Sequence, residues 1–83
     1  MRVTLKLFAS LSDYLPAGTK QNRVDLDLAD DTSVDAALAP FAIPPALTHL
    51  VLVNGVFIPR EDRAKTTLRE SDAVAVWPPI AGG

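Results

Sequence analysis

The residues of this sequence that offer chemistry are the last two, Gly82 and Gly83. We expect the chain to end there in a carboxylate, which is ionised at neutral pH and must be activated before it can react. Neither glycine carries a Cβ, so this end is thin and free in its backbone angles. Pro78 and Pro79 restrict φ and favour an extended departure from the protein body. We predict that residues 78–83 form a tail suited to insertion into another protein's active site.

Two terminal glycines are also typical of a frayed chain end, so Gly82 and Gly83 alone leave both interpretations open. The rest of the sequence offers little other chemistry. It contains no cysteine, which excludes disulfides, thiolate metal sites and a cysteine nucleophile. The single histidine, His49, belongs to no motif that would pair it with an acid or a base. We therefore predict a protein that is not an enzyme and that itself binds no metal or cofactor.

The charge and the hydropathy of the sequence limit the kinds of binding partner that we expect. The net charge is −2 and the basic residues form no cluster, so we expect no nucleic-acid partner. No apolar run approaches the roughly 20 residues that a membrane span needs. Met1 and Arg2 lead directly into an alternating strand pattern instead of a signal peptide. We expect a soluble, cytoplasmic protein with no membrane partner.

The elements that must position the tail are predicted by periodicity. Residues 2–8 and 23–28 alternate apolar and polar side chains, which is typical of two half-buried strands that pair antiparallel. Asp25 and Asp27 lie on the polar face of the second strand, where solvation explains them better than a paired-carboxylate site. The predicted core joins both strands to a helix and to a last strand: Val3, Leu5, Leu7, Val24, Leu26, Val34, Leu38, Val74 and Val76.

One short helix follows the second strand. Thr32 is predicted as its N-cap, with Asp35 three residues later as in a capping box. An apolar stripe with helical spacing runs from Val34 to Phe41, and Pro40 predicts an end near residue 39. Residues 43–47 predict a break followed by one helical turn.

The second half of the chain predicts a hairpin and a final strand. Asn54-Gly55 lies between two apolar runs, which indicates a type I′ turn. Leu68 is expected to anchor the charged loop that follows, and residues 73–77 form the last strand. If that strand lies parallel beside the first, Phe8 and Trp77 share the sheet face that the helix leaves uncovered. Two aromatic side chains there predict a docking surface.

Three segments of the sequence resemble a known protein family. Residues 68–83, LRESDAVAVWPPIAGG, are similar to the end of the MoaD/ThiS sulfur carriers, and residues 7–11 and 51–55 also resemble that family. The family usually has Gly-Asp where this chain has Ser71-Asp72. Residues 58–60 resemble the ThiS branch, whereas Pro78-Pro79 resembles the MoaD branch, the small subunit of molybdopterin synthase.

The resemblance implies an α+β, ubiquitin-like β-grasp fold: a mixed sheet of four to five strands on one main helix in residues 1–77, then a tail of residues 78–83. It implies that an E1-like adenylyltransferase, using ATP and magnesium, activates Gly83, and that a sulfur-donor protein supplies the sulfur of a thiocarboxylate. The acceptor would lie in the large subunit of molybdopterin synthase, or alternatively in thiazole synthase for thiamin. A β-grasp interaction module that is never activated is a third possibility. The implied reacting pair is Gly82 and Gly83, and the implied partner-binding residues are Phe8, Trp77, Pro78, Pro79, Ile80 and Ala81.

Overall fold

The computed structural model describes residues 1–19 and 21–79 of the chain. Strand β1 (Arg2–Leu7) pairs antiparallel with β2 (Arg23–Asp27), as their alternating sequences predict. The register places Val3 opposite Leu26 and Leu5 opposite Val24, so the apolar side chains of both strands share one face. That face is the one on which the core forms.

A 3₁₀ helix (Ala9–Tyr14) follows β1 directly, and the sequence analysis did not predict it. Ala9 begins it with a φ of 52°, in the left-handed region that a residue with a Cβ adopts only at a cost. The turn carries Leu11 into the core, where it is fully buried. Burial of this apolar side chain stabilises the 3₁₀ helix, and Tyr14 also packs against the core.

The main helix, α1 (Val34–Leu38), is short, as Pro40 predicts, and continues as a 3₁₀ turn (Ala39–Phe41). The predicted N-cap was wrong by one residue. Ser33 is the cap, and its hydroxyl accepts a 3.1 Å hydrogen bond from the Ala36 amide, while the Thr32 hydroxyl donates to the carbonyl of Ala29. Among the described residues, the structure contains no helix whose length and apolar character would let it cross a lipid bilayer.

A 3₁₀ turn (Pro45–Leu47) precedes strand β3 (Leu50–Val53), in agreement with the predicted helical turn. Strand β4 (Val56–Phe57) returns antiparallel to β3. Asn54 and Gly55 between them have φ values of 51° and 83°, the signs that the predicted type I′ turn requires. Another 3₁₀ turn (Arg60–Asp62) opens the charged loop that leads toward the last strand.

Strand β5 (Ala73–Trp77) occupies the centre of the five-stranded sheet, whose order is β2-β1-β5-β3-β4. It is parallel to β1 and antiparallel to β3. The parallel arrangement of the first and last strands, which was the condition for the predicted aromatic surface, is observed, and the α+β class with a mixed sheet is confirmed. Because both neighbours hydrogen-bond to β5, the sheet holds this strand on both sides.

The core lies between α1 and one face of the sheet. Leu68 is buried and anchors the loop before β5, as predicted. Val24 and Leu26 were predicted to be buried but are only partly so, because β2 is an edge strand that α1 does not fully cover. The buried apolar residues are Val3, Leu5, Leu7, Leu11, Val34, Ala37, Leu38, Val51, Leu68, Val74 and Val76.

Candidate docking surface and tail exit

The sheet has one face packed against α1 and one face that α1 leaves uncovered. Strand alternation decides which side chains reach the uncovered face, because neighbouring residues of a strand point to opposite sides. Since Val74, Val76 and Val51 are buried on the helix side, their strand neighbours project away from it. The apolar side chains on the uncovered face include Phe8, Leu50, Leu52, Phe57, Ala75 and Trp77, and we call these six residues the aromatic patch.

Phe8 and Trp77 are stacked at one end of the aromatic patch. Their ring centroids are 4.4 Å apart and their planes differ by 4°. The Phe8 amide donates a 3.1 Å hydrogen bond to the carbonyl of Val76, which fixes the two aromatic residues side by side. Each remains half-buried, so part of each ring faces outward. The structure confirms that they share the uncovered face, while their role in partner binding stays a prediction.

The patch continues across the sheet to its far edge. Leu52 lies opposite Ala75 on one side and Phe57 on the other, so the apolar surface is continuous from β1 to β4. Phe57 is 52% exposed, which is unusual for a large apolar side chain. Sequence reasoning missed Leu50, Leu52 and Phe57 as surface residues. The available signal was the uninterrupted apolar run 50–53, which leaves apolar side chains on both faces of a sheet that has one helix.

A groove borders the stacked rings where β5 ends. It has a volume of about 460 Å³ and is mainly apolar. His49 lines it as an exposed side chain, and its backbone amide bonds to the carbonyl of Trp77 at 3.1 Å. The groove is lined by Ala9, Ser10, His49, Leu50, Trp77, Pro78 and Pro79.

The first two residues of the predicted tail therefore form part of the wall of this groove. Pro78 is half-buried and Pro79 is exposed. The other predicted site residues, Ile80, Ala81, Gly82 and Gly83, lie outside the described residues. The structure thus brings Phe8, Trp77 and both prolines together at one end of the sheet.

The opposite end of β5 is held by a network around the 71–72 turn. Asp72 accepts hydrogen bonds from the Asn54 side chain and from the Arg69 amide, both at 2.8 Å. Ser71, where the family usually has glycine, has a φ of 70°, and its amide bonds to the carbonyl of Arg2 at 2.8 Å. The turn therefore keeps the left-handed geometry that favours glycine, and serine occupies it under strain.

Comparison with known proteins gives both family and structural matches. The ThiS family model matches residues 5–83. No curated protein matches the chain. The solution structure of the HVO 2177 protein from Haloferax volcanii is similar, with 28% identity, a TM-score of 0.75, and coverage of 100% of this chain and 87% of that one.

Two further structures are similar over their full lengths. The crystal structure of SAMP1 from Haloferax volcanii is 25% identical, covers 100% of both chains and has a TM-score of 0.73. A chain in the complex of subunits 1 and 2 of the molybdopterin-converting factor from Helicobacter pylori is 17% identical, covers 100% of both chains and has a TM-score of 0.61, which shows a shared fold. The predicted ubiquitin-like β-grasp fold is confirmed by these matches and by the sheet topology.

Proposed function

This chain belongs to the ThiS family of small ubiquitin-like carriers and modifiers, and we propose that it is a sulfur carrier that reacts through Gly83. Its partner enzymes catalyse each step, and the chain serves as their co-substrate. The proposal rests on the family membership and on the terminal Gly82-Gly83 sequence. It also rests on one structural observation, which is the position of β5 relative to the aromatic patch.

That observation is the contiguity of the tail exit and the docking surface. Strand β5 ends at Trp77, whose ring is stacked on Phe8, and Pro78, the next residue, lines the adjoining groove. A partner that covers the aromatic patch therefore receives the tail at the border of the same interface. Since β5 is bonded on both sides, the starting point of the tail is fixed relative to that interface. Such positioning is what an enzyme acting on a chain terminus requires.

The proposed chemistry has two steps, and both occur at the Gly83 carboxyl carbon. A carboxylate oxygen first attacks the α-phosphorus of ATP in an E1-like adenylyltransferase that uses magnesium, and pyrophosphate leaves. A sulfur nucleophile at the oxidation level of sulfide, supplied by a sulfur-donor protein, then attacks the acyl carbon, and AMP leaves. The product is a thiocarboxylate. The sulfur is carried on the terminal carbon, so the chain needs no cysteine, and it has none.

We propose that the sulfur is used in molybdopterin synthesis. The molecule that accepts it would be bound by the large subunit of molybdopterin synthase. The Trp77-Pro78-Pro79 sequence, which resembles the MoaD branch, supports this choice. Residues 58–60 resemble the ThiS branch, so sulfur delivery to the thiazole of thiamin is the alternative. Both destinations use the same thiocarboxylate and differ only in the enzyme that accepts it.

A second candidate function is attachment to other proteins. It is favoured by the similarity to SAMP1, which is named a small archaeal modifier protein. In that case an amine, in place of sulfur, attacks the acyl adenylate, AMP leaves, and an amide forms. The activation step and the docking surface are common to both functions.

The experiment is co-expression of the full chain with an E1-like adenylyltransferase from the same organism, followed by intact-mass spectrometry. Sulfur transfer predicts a species in which one oxygen is replaced by sulfur, and conjugation predicts amide-linked adducts of higher mass. A chain ending at Gly82 is the control and should show neither. The enzyme must be shown to activate another carrier in the same assay. If the mass of this chain then stays unchanged, both candidate functions are contradicted, and the β-grasp interaction module that is never activated remains.

A further inference from the structure

A second cavity lies on the helix side of the sheet, away from the aromatic patch. Its volume is about 290 Å³, near the lower end of the roughly 300–1,000 Å³ typical of small-ligand sites. One wall is apolar and the other carries two arginines. The residues that line it are Asp35, Leu38, Ala39, Ala42, Ile43, Pro45, Thr48, Arg60 and Arg63.

Arg63 forms the buried part of the polar wall and is only 3% exposed. Its Nη1 donates to the carbonyl oxygen of Thr48 at 2.7 Å, and its Nη2 donates to the carbonyl oxygen of His49 at 3.2 Å. These bonds hold the guanidinium rigidly against the loop before β3. A charged group held in this way needs no further ordering when a ligand arrives.

Arg60 forms the accessible part of the same wall. Its Nη2 donates to the carbonyl oxygen of Thr48 at 3.1 Å, and its Nη1 donates to that of Pro45 at 3.1 Å. Both arginines therefore donate to one oxygen atom, which makes their guanidinium groups neighbours. A guanidinium has five N–H donors, so further donors of Arg60 stay available to a ligand.

Within the part of the chain that the structure describes, neither arginine is joined to a carboxylate in an ion pair. In residues 1–19 and 21–79, the ion pairs are Met1 with Asp30 and Arg2 with Asp27, and neither includes Arg60 or Arg63. Burial and the adjacent Arg60 lower the pKa of Arg63, whereas Asp35 and Glu61 partly oppose that change. Because the two cations repel each other, an anion placed between them would be stabilised by both.

The opposite wall determines what kind of anion fits. Leu38, Ala39, Ala42, Ile43 and Pro45 supply an apolar surface beside the arginines. We propose that this cavity binds a small organic acid, with its carboxylate on the Arg60–Arg63 pair and its hydrocarbon chain against the apolar wall. Asp35 also faces the cavity and disfavours ligands of higher negative charge, which selects a monocarboxylate over a phosphate dianion.

The test is a titration of the ¹⁵N-labelled full chain, followed by NMR, with butyrate, hexanoate, hexanol and inorganic phosphate as separate probes. We expect hexanoate to bind in the cavity and to shift the Arg60 side-chain resonance. A fully buried methylene tightens binding about fourfold, so hexanoate should bind at least a few-fold tighter than butyrate. Hexanol lacks the charge, so it should bind at least about tenfold more weakly than hexanoate.

Three variants complete the test. Arg60→Gln removes one charge and should weaken hexanoate binding about tenfold or more, while Asp35→Asn removes the opposing charge and should tighten it. Arg23→Gln, which alters an exposed arginine on β2, should change nothing. Saturable binding that is the same in Arg60→Gln and in the parent chain would overturn the proposal. So would hexanoate shifts confined to the aromatic patch, an absence of saturable shifts, or phosphate binding as tight as that of hexanoate.

Discussion

The side chains of Asn54 and Asp72 join the β3–β4 turn to the turn that begins β5, through a 2.8 Å hydrogen bond from Nδ2 to Oδ1. The Asn54 Oδ1 in turn accepts a 2.9 Å bond from the amide of Ala73, the first residue of β5. Asn54 therefore has two structural roles. It adopts the left-handed conformation that the hairpin requires, and it positions the strand that leads to the tail.

The two roles of Asn54 can be separated by comparing it with Asn22, which has a similar φ of 57°. Asn22→Ala loses the asparagine's tolerance of the left-handed region but no side-chain hydrogen bond to another described residue. Asn54→Ala also loses the bonds to Asp72 and Ala73, so it should lower the free energy of unfolding by about 1–2 kcal/mol more. Urea denaturation of both variants measures the difference. Equal losses would show that the side-chain bonds add nothing to stability.

Replacing Ser71 with glycine should stabilise the protein. The left-handed conformation costs a residue with a Cβ about 1–2 kcal/mol, which glycine avoids. Glycine's extra freedom in the unfolded state offsets roughly 0.5–1 kcal/mol of this stabilisation. A net gain of about 0.5–1 kcal/mol raises Tm by about 2–8 °C in a domain of this size. Ser12→Gly, in the 3₁₀ helix, is the control and should lower Tm. Calorimetry showing a lower Tm for Ser71→Gly would contradict the strain assigned to this turn.

Trp77→Ala should weaken binding to the activating enzyme by about 2 kcal/mol or more if Trp77 is a hot spot of the interface, which is about thirtyfold in Kd. The ring is half-buried and stacked on Phe8 at the edge of the core, so the variant should still fold. Val56→Ala is the matched control, because Val56 is 64% exposed but lies on the other face of the sheet. Titration calorimetry with normal binding by Trp77→Ala would rule out the aromatic patch as this interface.

Removing Gly83, or adding one residue after it, should abolish thiocarboxylate formation while Tm stays unchanged. One residue moves the reacting carbon by about 3.3 Å, whereas even ~1 Å of misplacement can cost about a hundredfold in rate. Gly82→Val should also be severe, because a β-branched side chain restricts the backbone and widens the tail. A reconstituted sulfur-transfer assay provides the measurement. Transfer by a chain lacking Gly83 would exclude the carrier mechanism.

Arg63→Met should destabilise the fold by about 2–4 kcal/mol, because it removes a buried cation that bonds to several backbone carbonyls. Methionine nearly fills the same space, so the loss reports mainly on those bonds. Arg69→Met, which alters an exposed arginine, should change stability by less than about 0.5 kcal/mol. Equal effects of the two substitutions on urea denaturation would show that the buried guanidinium is not a structural element.

Sequence periodicity predicted β1, β2 and β5 because each has one face toward the core and one outside, as in Val3, Leu5 and Leu7 of β1. It placed Phe8 and Trp77 on one face on the condition that the last strand lies parallel beside the first, and the structure has that pairing. The helix cap was misplaced because Thr32 and Ser33 are both good caps, and three-dimensional packing decides between adjacent candidates.

The burial of Arg63 was not predictable from a local pattern. Its hydrogen-bond acceptors are the carbonyls of Thr48, His49 and Ile58 and the hydroxyl of Thr48, and any residue has a carbonyl. Only the fold brings residues 14 or 15 positions away against the guanidinium. The cavity beside Arg60 was missed for the same reason, since its two walls come from separate parts of the sequence.

The central place of β5 in the sheet has a consequence for how the protein folds. Thr4 pairs with Ala73, so the middle of the sheet forms only when two segments separated by most of the chain meet. Contacts of such long sequence separation slow folding, because the loop between them loses entropy before the contact forms. A ribosome-bound chain whose β5 has not yet emerged lacks the central strand of its sheet. We therefore expect the docking surface to appear only after β5 has emerged from the ribosome, so that partners meet the aromatic patch and the tail exit together.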